Sequence, residues 1–238
     1  GDMMAVWLIK IGGHEIADMA FLNELAHIVK QLPQRVVIVH GGGKEISTLQ
    51  KKLGIEPQYA DGVRITDAPS LMIVQMVLAG LVNKRLVRQL LSVDLDAHGM
   101  TGVDRRLITA QKMQHPTLDM GFTGEIVSVR AEILHAMLEQ GQTPVVAPIC
   151  YGKDAIYNVN ADHVAGAIAT ALQVERAVFL TNVEGVLVND EIIASLTPQA
   201  TDALIADGTI TGGMIPKVRT ALQVLRQGVD RVAITNLQ

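Results

Sequence analysis

Val6-Trp7-Leu8-Ile9-Lys10-Ile11-Gly12-Gly13 and Val36-Val37-Ile38-Val39-His40-Gly41-Gly42-Gly43-Lys44 are two short apolar runs, each ending in glycines beside a cation. Their length and Val/Ile content read as buried strands. Glycines where such a strand turns into a helix leave backbone N–H groups bare, and bare amides at a helix start hold phosphate. One such stretch suits an ordinary strand and turn. Two of them, joined to a remote lysine described below, point to phosphoryl transfer.

Working outward, apolar runs of strand length recur at 5–11, 35–40, 144–149, 177–181 and 231–235, separated by segments with helical periodicity. Phe21, Leu22, Leu25, Ala26 and Val29 form one helical stripe that Pro33 ends, and Ile133, Leu134, Met137 and Leu138 form another that Gly141 ends. Val164, Ala165, Ile168, Ala169 and Leu172 make a third. Alternation of this kind predicts βαβ units and an α/β fold around a mainly parallel sheet.

The longest predicted helix covers about 70–92, with Val74, Val77, Leu78, Leu81 and Val82 on a wide apolar face suited to the core or to a dimer contact. Its most hydrophobic window, Leu71 to Val82, is interrupted by Gln75 and followed by Asn83-Lys84-Arg85, which makes it too short to span a bilayer. Residues 58–66 and 121–129 do not read as crossover helices. Asp61-Gly62 between β-formers predicts a hairpin in the first, and excursions of this kind form lids over ligand sites.

The composition narrows the function classes. Of 238 residues, 20 are Lys or Arg and 24 Asp or Glu, so a net charge of −4 supplies no global field for nucleic acid or an anionic membrane. An anionic ligand must be bound locally. The single Cys150 allows no intrachain disulfide, which fits a reducing cytoplasm, and its place after Val145-Val146-Ala147-Pro148-Ile149 predicts an inert core thiol. Neither the Walker pattern nor the Gly-x-Gly-x-x-Gly dinucleotide fingerprint follows a strand.

Lys10 closes a buried run, a place for a lysine only where an anion waits at the strand's carboxyl end or where the side chain snorkels from an edge. Asn160 is a natural N-cap for the Ala-rich helix, with Asp162 in its first turn, where it can cap or can orient two lysines. Farther on, Gly208-Thr209-Ile210-Thr211-Gly212-Gly213-Met214-Ile215-Pro216-Lys217-Val218 enters a helix with Met214, Val218, Ala221, Leu222 and Leu225 on its apolar side. Lys217 sits about one turn in, where the dipole disfavours a cation and an anionic partner is wanted.

Taken together, Lys10-Ile-Gly-Gly, His40-Gly-Gly-Gly, Gly62-Val-Arg64-Ile-Thr, Asn158-Val-Asn-Ala-Asp162, Leu180-Thr-Asn-Val-Glu-Gly185 and Gly212-Gly-Met-Ile-Pro-Lys217 resemble the amino-acid kinase family, in order and over nearly the whole chain. The resemblance implies a three-layer αβα sandwich with an open, mostly parallel central sheet. It implies an N-terminal lobe, 1–173, for acceptor binding and dimerisation, continuous with a nucleotide lobe, 174–238. The activity implied is ATP-dependent phosphorylation of the side-chain carboxylate of N-acetyl-L-glutamate, a step of arginine biosynthesis, in a cytoplasmic homodimer.

By the same resemblance Lys10 and Lys217 stabilise the migrating phosphoryl group, with Asp162 holding both. Gly12, Gly13, Gly42 and Gly43 donate backbone N–H groups to phosphate, Gly42 and Gly43 on the acceptor side. Arg64 grips the acceptor's α-carboxylate with its bidentate fork, and Asn158 is a second acceptor contact. Leu180, Thr181, Asn182, Val183, Gly212, Gly213 and Met214 fall where the family contacts nucleotide. Mg2+ travels on the ATP phosphates, with no protein ligand assigned.

A carboxylate acceptor is already anionic at neutral pH and needs no general base, which leaves His40 to support its glycine loop. Residues 79–87 resemble equally the aminoadipate kinases of carrier-protein lysine synthesis, so a carrier-linked aminoadipate is the alternative acceptor. A catalytically inactive sensor of the same fold is the other alternative, against which the joint presence of Lys10, Asp162 and Lys217 argues.

Overall fold

β1 (Val6–Ile11) alternates its side chains between two layers of helices: Ile9 and Ile11 pack into one, Leu8 into the other. Lys10 shares the Leu8 face because a strand repeats every two residues. β2 (Arg35–His40) divides in the same way, with Val36 and Ile38 on the first face and Val37 and Val39 on the second. The computed structural model describes residues 5–13, 15–60, 62–181, 187–188, 191–192, 196–211 and 214–237.

The remaining strands are β3 (Gln58–Ala60), β4 (Val63–Ile65), β5 (Ala97–Gly102), β6 (Ile108–Lys112), β7 (Gly124–Val129), β8 (Thr143–Tyr151), β9 (Ile156–Asn158), β10 (Arg176–Leu180), β11 (Leu187–Val188), β12 (Glu191–Ile192) and β13 (Arg231–Thr235). Among the described residues, seven of these join β1 and β2 in one nine-stranded sheet in the order β13-β10-β1-β2-β8-β6-β7, with β5 and β9 also paired to β8. Among the described residues, only the β6–β7 and β8–β9 pairings in this sheet are antiparallel. All five strands expected from the apolar runs are present.

The helices are α1 (Met19–Gln31), α2 (Gly43–Lys52), α3 (Ala68–Gln75), α4 (Asn83–Leu91), α5 (Ala131–Glu139), α6 (Ala161–Leu172), α7 (Pro198–Ala206) and α8 (Met214–Arg226). Leu22, Leu25 and Val29 of α1 and the apolar face of α3 and α4 cover one side of the sheet; α5, α6 and Val224 of α8 cover the other. This is the αβα sandwich that the resemblance implied. Each fully buried Leu, Ile or Val is worth about 1.5–3 kcal/mol, so these two faces supply most of the drive to fold. Cys150 lies inside the second, where burial raises its pKa and keeps it a thiol.

α3 and α4 are one helix of 24 residues, Ala68–Leu91, joined through a π-helical segment, Met76–Val82. It is longer than the apolar window suggested and, by length and composition, long enough to cross a bilayer. Ile73, Val74, Val77, Leu78, Val82, Leu86 and Leu90 are buried in the core facing the sheet. Leu81 departs from the expected stripe: it is 52% exposed. The wider π turn rotates the positions around it out of the 3.6-residue register that the sequence pattern assumes.

Candidate active site

The chain leaves β1 for β2 on one side of the sheet and later fills β10 and β13 on the other, so the strand order reverses at β1. In open parallel sheets the crevice outside the carboxyl ends at such a reversal is where ligands bind. Lys10, Gly12 and Gly13 lie at that end of β1, and Gly41, Gly42 and Gly43 at that end of β2.

The two glycine loops face each other. Gly41 N–H donates to Ile11 O (3.0 Å), and a Cβ built on Gly13 would stand 3.2 Å from Gly43 N and 3.7 Å from the amides of Gly42 and Lys44. A Cβ on Gly42 would strike Leu78 Cδ2 at 2.5 Å. Absence of side chains thus brings bare amides at the start of α2 against the first loop, an arrangement that favours an anion.

Lys10 crosses from β1 to α6 and pairs with Asp162, Nζ to Oδ1 2.6 Å. Asn160 caps α6 by accepting from Asp162 N–H (2.8 Å), as the sequence indicated, which fixes the aspartate in the first turn.

Arg64 stands on the hairpin β3–β4, whose antiparallel pairing is present, with Asp61 outside the described residues. Its guanidinium donates to Gln50 Oε1 (2.5 Å), Ser47 Oγ (2.8 Å), Tyr59 OH (2.7 Å) and Gly43 O (3.3 Å), and it lies 4.9 Å from the Tyr59 ring centre. Every one of these partners is uncharged. Partial burial pulls its pKa below the usual guanidinium value, Tyr59 offsetting this only in part, so a carboxylate would be welcome there.

The second excursion binds to the first instead of standing apart. Phe122 N–H donates to Thr66 O (2.6 Å) and Thr123 Oγ1 to Arg64 O (2.6 Å), while Asn158 Nδ2 donates to Thr66 Oγ1 (3.0 Å). Lys10, Gly13, Gly42, Gly43, Arg64, Asn158 and Asp162 line one cleft of about 550 Å³.

Toward β10, a Cβ on Gly12 would lie 3.7 Å from Leu180 O, and Leu180 is paired with Ile11. Thr181 N–H donates to Thr235 O (2.9 Å). Lys217 Nζ donates to Thr181 Oγ1, so Asp162 meets Lys10 and Thr181 meets Lys217. Met214 opens α8 and is half-buried beside Val218 and Leu222. Asn182, Val183, Gly212 and Gly213 lie outside the described residues.

His40 is fully buried, and desolvation, with nearby Lys84 adding to it, lowers its pKa to about 4. It is a neutral support for the loop. Sequence reasoning missed Gln50, Ser47 and Tyr59 around Arg64; the helical spacing of Gly43, Ser47 and Gln50 along α2 was the signal that could have found two of them.

Fold and site together define an α/β protein with two facing glycine loops and a lysine–aspartate pair at the carboxyl edge of a parallel sheet. The chain belongs to the amino acid kinase family, whose profile matches residues 5–236. It is 50% identical over 231 residues to an acetylglutamate kinase of Roseiflexus sp. (strain RS-1), covering 97% of this chain and 88% of that one. An acetylglutamate kinase of Methanopyrus kandleri is 41% identical, with 97% and 95% covered. Among solved structures, an N-acetylglutamate synthase from Neisseria gonorrhoeae complexed with coenzyme A and N-acetyl-glutamate superposes with a TM-score of 0.86 at 26% identity, over 98% of this chain and 54% of that one.

Proposed function

We propose that this chain is an ATP-dependent kinase that phosphorylates the side-chain carboxylate of N-acetyl-L-glutamate, giving N-acetylglutamyl 5-phosphate and ADP in arginine biosynthesis. The observation that carries the reading is Arg64, a half-buried cation held only by neutral partners in the same cleft as the Lys10–Asp162 pair. A substrate with two carboxylates can satisfy both ends: one on Arg64, the other facing Lys10. The relatives' names agree with that acceptor.

Arg64 and Asn158 take the α-carboxylate and neighbouring polar groups, and the amides of Gly42 and Gly43 face the reacting end. The bare backbone at Gly12 and Gly13, where a Cβ on Gly13 would crowd Gly43 N, fits the phosphates of ATP, with Leu180, Thr181, Asn182, Val183, Gly212, Gly213, Met214 and Lys217 toward the nucleotide. ATP with its Mg2+ supplies the phosphoryl group. Lys10 and Lys217 neutralise the charge that spreads over it in flight, and Asp162 keeps Lys10 in place. The acceptor oxygen, with a pKa of about 4, attacks as the anion and needs no base.

Residues 1–173 form the acceptor lobe and 174–238 the nucleotide lobe of one sheet, in a cytoplasmic homodimer acting on small molecules and not on nucleic acid or membrane. The test offers ATP with N-acetyl-L-glutamate and with carrier-linked aminoadipate in turn, trapping acyl phosphate with hydroxylamine and measuring ADP release in each. Hydroxamate with N-acetyl-L-glutamate alone is the expected result; hydroxamate with carrier-linked aminoadipate alone would replace the acceptor, and neither hydroxamate nor ADP release with either would leave a sensor.

A further inference from the structure

Asn83, the first residue of α4, is 1% exposed and belongs to the 79–87 segment whose purpose the site above does not explain. Its amide has an unambiguous orientation. Lys84 Nζ, an ammonium that can only donate, lies 3.0 Å from Asn83 Oδ1, and Val145 O, a carbonyl that can only accept, lies 3.0 Å from Asn83 Nδ2. The remaining Nδ2 hydrogen is directed at His40 Nε2, 3.1 Å away.

The consequence propagates toward the cleft. Nε2 must accept from Asn83, and Gly41 O, a carbonyl that can only accept, takes Nδ1–H at 2.8 Å, so the two contacts together hold the single proton of neutral His40 on Nδ1. Gly41 N–H is already committed to Ile11 O (3.0 Å), so both sides of this residue are fixed. In a trans peptide the C=O and the following N–H point opposite ways, and the described peptides are all trans. Holding Gly41 C=O on His40 therefore turns Gly42 N–H to the other side. The same helix seals the arrangement: Leu78 and Val82 pack over Gly42, and Arg85 Nη1 bridges Ile16 O (3.2 Å) and Glu45 Oε1 (3.0 Å), behind the two loops.

We propose that Asn83 is a positioning residue for phosphoryl transfer, setting the His40 tautomer that orients the Gly41–Gly42 peptide and hence the amide donors of the glycine loop. Its catalytic consequence rests on the kinase reading above; the tautomer does not. Gly99 fits the same design, because a Cβ there would sit 2.1 Å from Asn83 Oδ1 and block the amide's place.

The experiment is ¹⁵N NMR of the imidazoles of the full chain near neutral pH, the His40 signals being those lost in His40→Asn, together with steady-state kinetics of Asn83→Leu. The expected spectrum shows His40 protonated on Nδ1 in the native chain and a mixture with the Nε2–H form in Asn83→Leu. The variant's kcat should fall about tenfold or more from a misplaced donor, with KM for ATP within about twofold. His40 protonated on Nε2 in the native chain overturns the proposal even if Asn83→Leu does not fold. Unchanged kcat in a folded variant overturns its catalytic part, whereas a native chain with no kinase activity but the expected tautomer removes the functional reading and leaves the tautomer assignment standing.

Discussion

Lys10 Nζ rests 2.6 Å from Asp162 Oδ1, with 14% of the lysine side chain and 29% of the aspartate side chain exposed. Both charges are sheltered enough that removing one leaves the other poorly compensated, unlike a solvated surface pair. Asp162→Asn keeps the shape and the N-cap geometry while releasing Lys10. Its kcat in the hydroxamate assay should fall about 100-fold or more, the scale of losing one preorganised electrostatic group. A kcat within threefold of the native value would show that the pair is only structural.

Lys217 reaches the carboxyl end of β10 from α8, where it donates to Thr181. In the proposed reaction its charge matters most when the phosphoryl group is between donor and acceptor. Lys217→Met should lower kcat far more than it raises either KM. Equal turnover would remove Lys217 from the chemistry.

Arg64 spreads its donors over Gln50, Ser47, Tyr59 and Gly43, a planar fork that an ammonium cannot reproduce. Arg64→Lys should raise KM for N-acetyl-L-glutamate by roughly 10–100-fold, one to two charge-assisted hydrogen bonds, while KM for ATP stays nearly constant. Equal changes in the two KM values would argue against an acceptor clamp.

Gly13 has no room for a methyl that leaves the facing amides alone: its Cβ would stand 3.2 Å from Gly43 N. Gly13→Ala should therefore weaken ATP binding, read by calorimetric titration, while the thermal midpoint drops by only a few degrees for a cost of about 1 kcal/mol. Native affinity for ATP in that variant would show that the two loops do not share an anion.

Acid should destabilise the fold through His40. Its pKa is about 4 in the folded chain against 6.5 as the ordinary value, so between these values the unfolded chain binds a proton that the folded chain refuses. The stability it contributes is complete above about pH 6.5 and is lost as pH falls toward 4, a change on the order of 3 kcal/mol. Urea titrations at several pH values in that window measure the slope. His40→Asn should flatten it, and an unchanged slope would place the acid-sensitive group elsewhere.

Much of this was readable in the chain. The strands at 5–11 and 35–40 announce themselves because buried parallel strands carry Val/Ile-rich runs, the half-buried strand at 231–235 through its short Val-Ala-Ile stretch, and Asn160 capped α6 as its residue type dictates. Lys10 was identifiable because a lysine inside such a run demands a reason. Leu81 was misplaced because a π turn changes the repeat and leaves no mark in hydrophobic spacing. The neutral collar of Gln50, Ser47 and Tyr59 around Arg64, and the line from Asn83 to Gly41, depend on contacts between distant segments that periodicity does not encode.

β1 owes one of its two neighbours to the segment after residue 174, since β10 covers the side that β2 does not. Cutting the chain before residue 174 would bare a row of unpaired backbone donors and acceptors along an apolar strand, an invitation to stack edge to edge with other copies. Proteolytic trimming should accordingly yield precipitate and not a smaller fragment able to bind the acceptor alone.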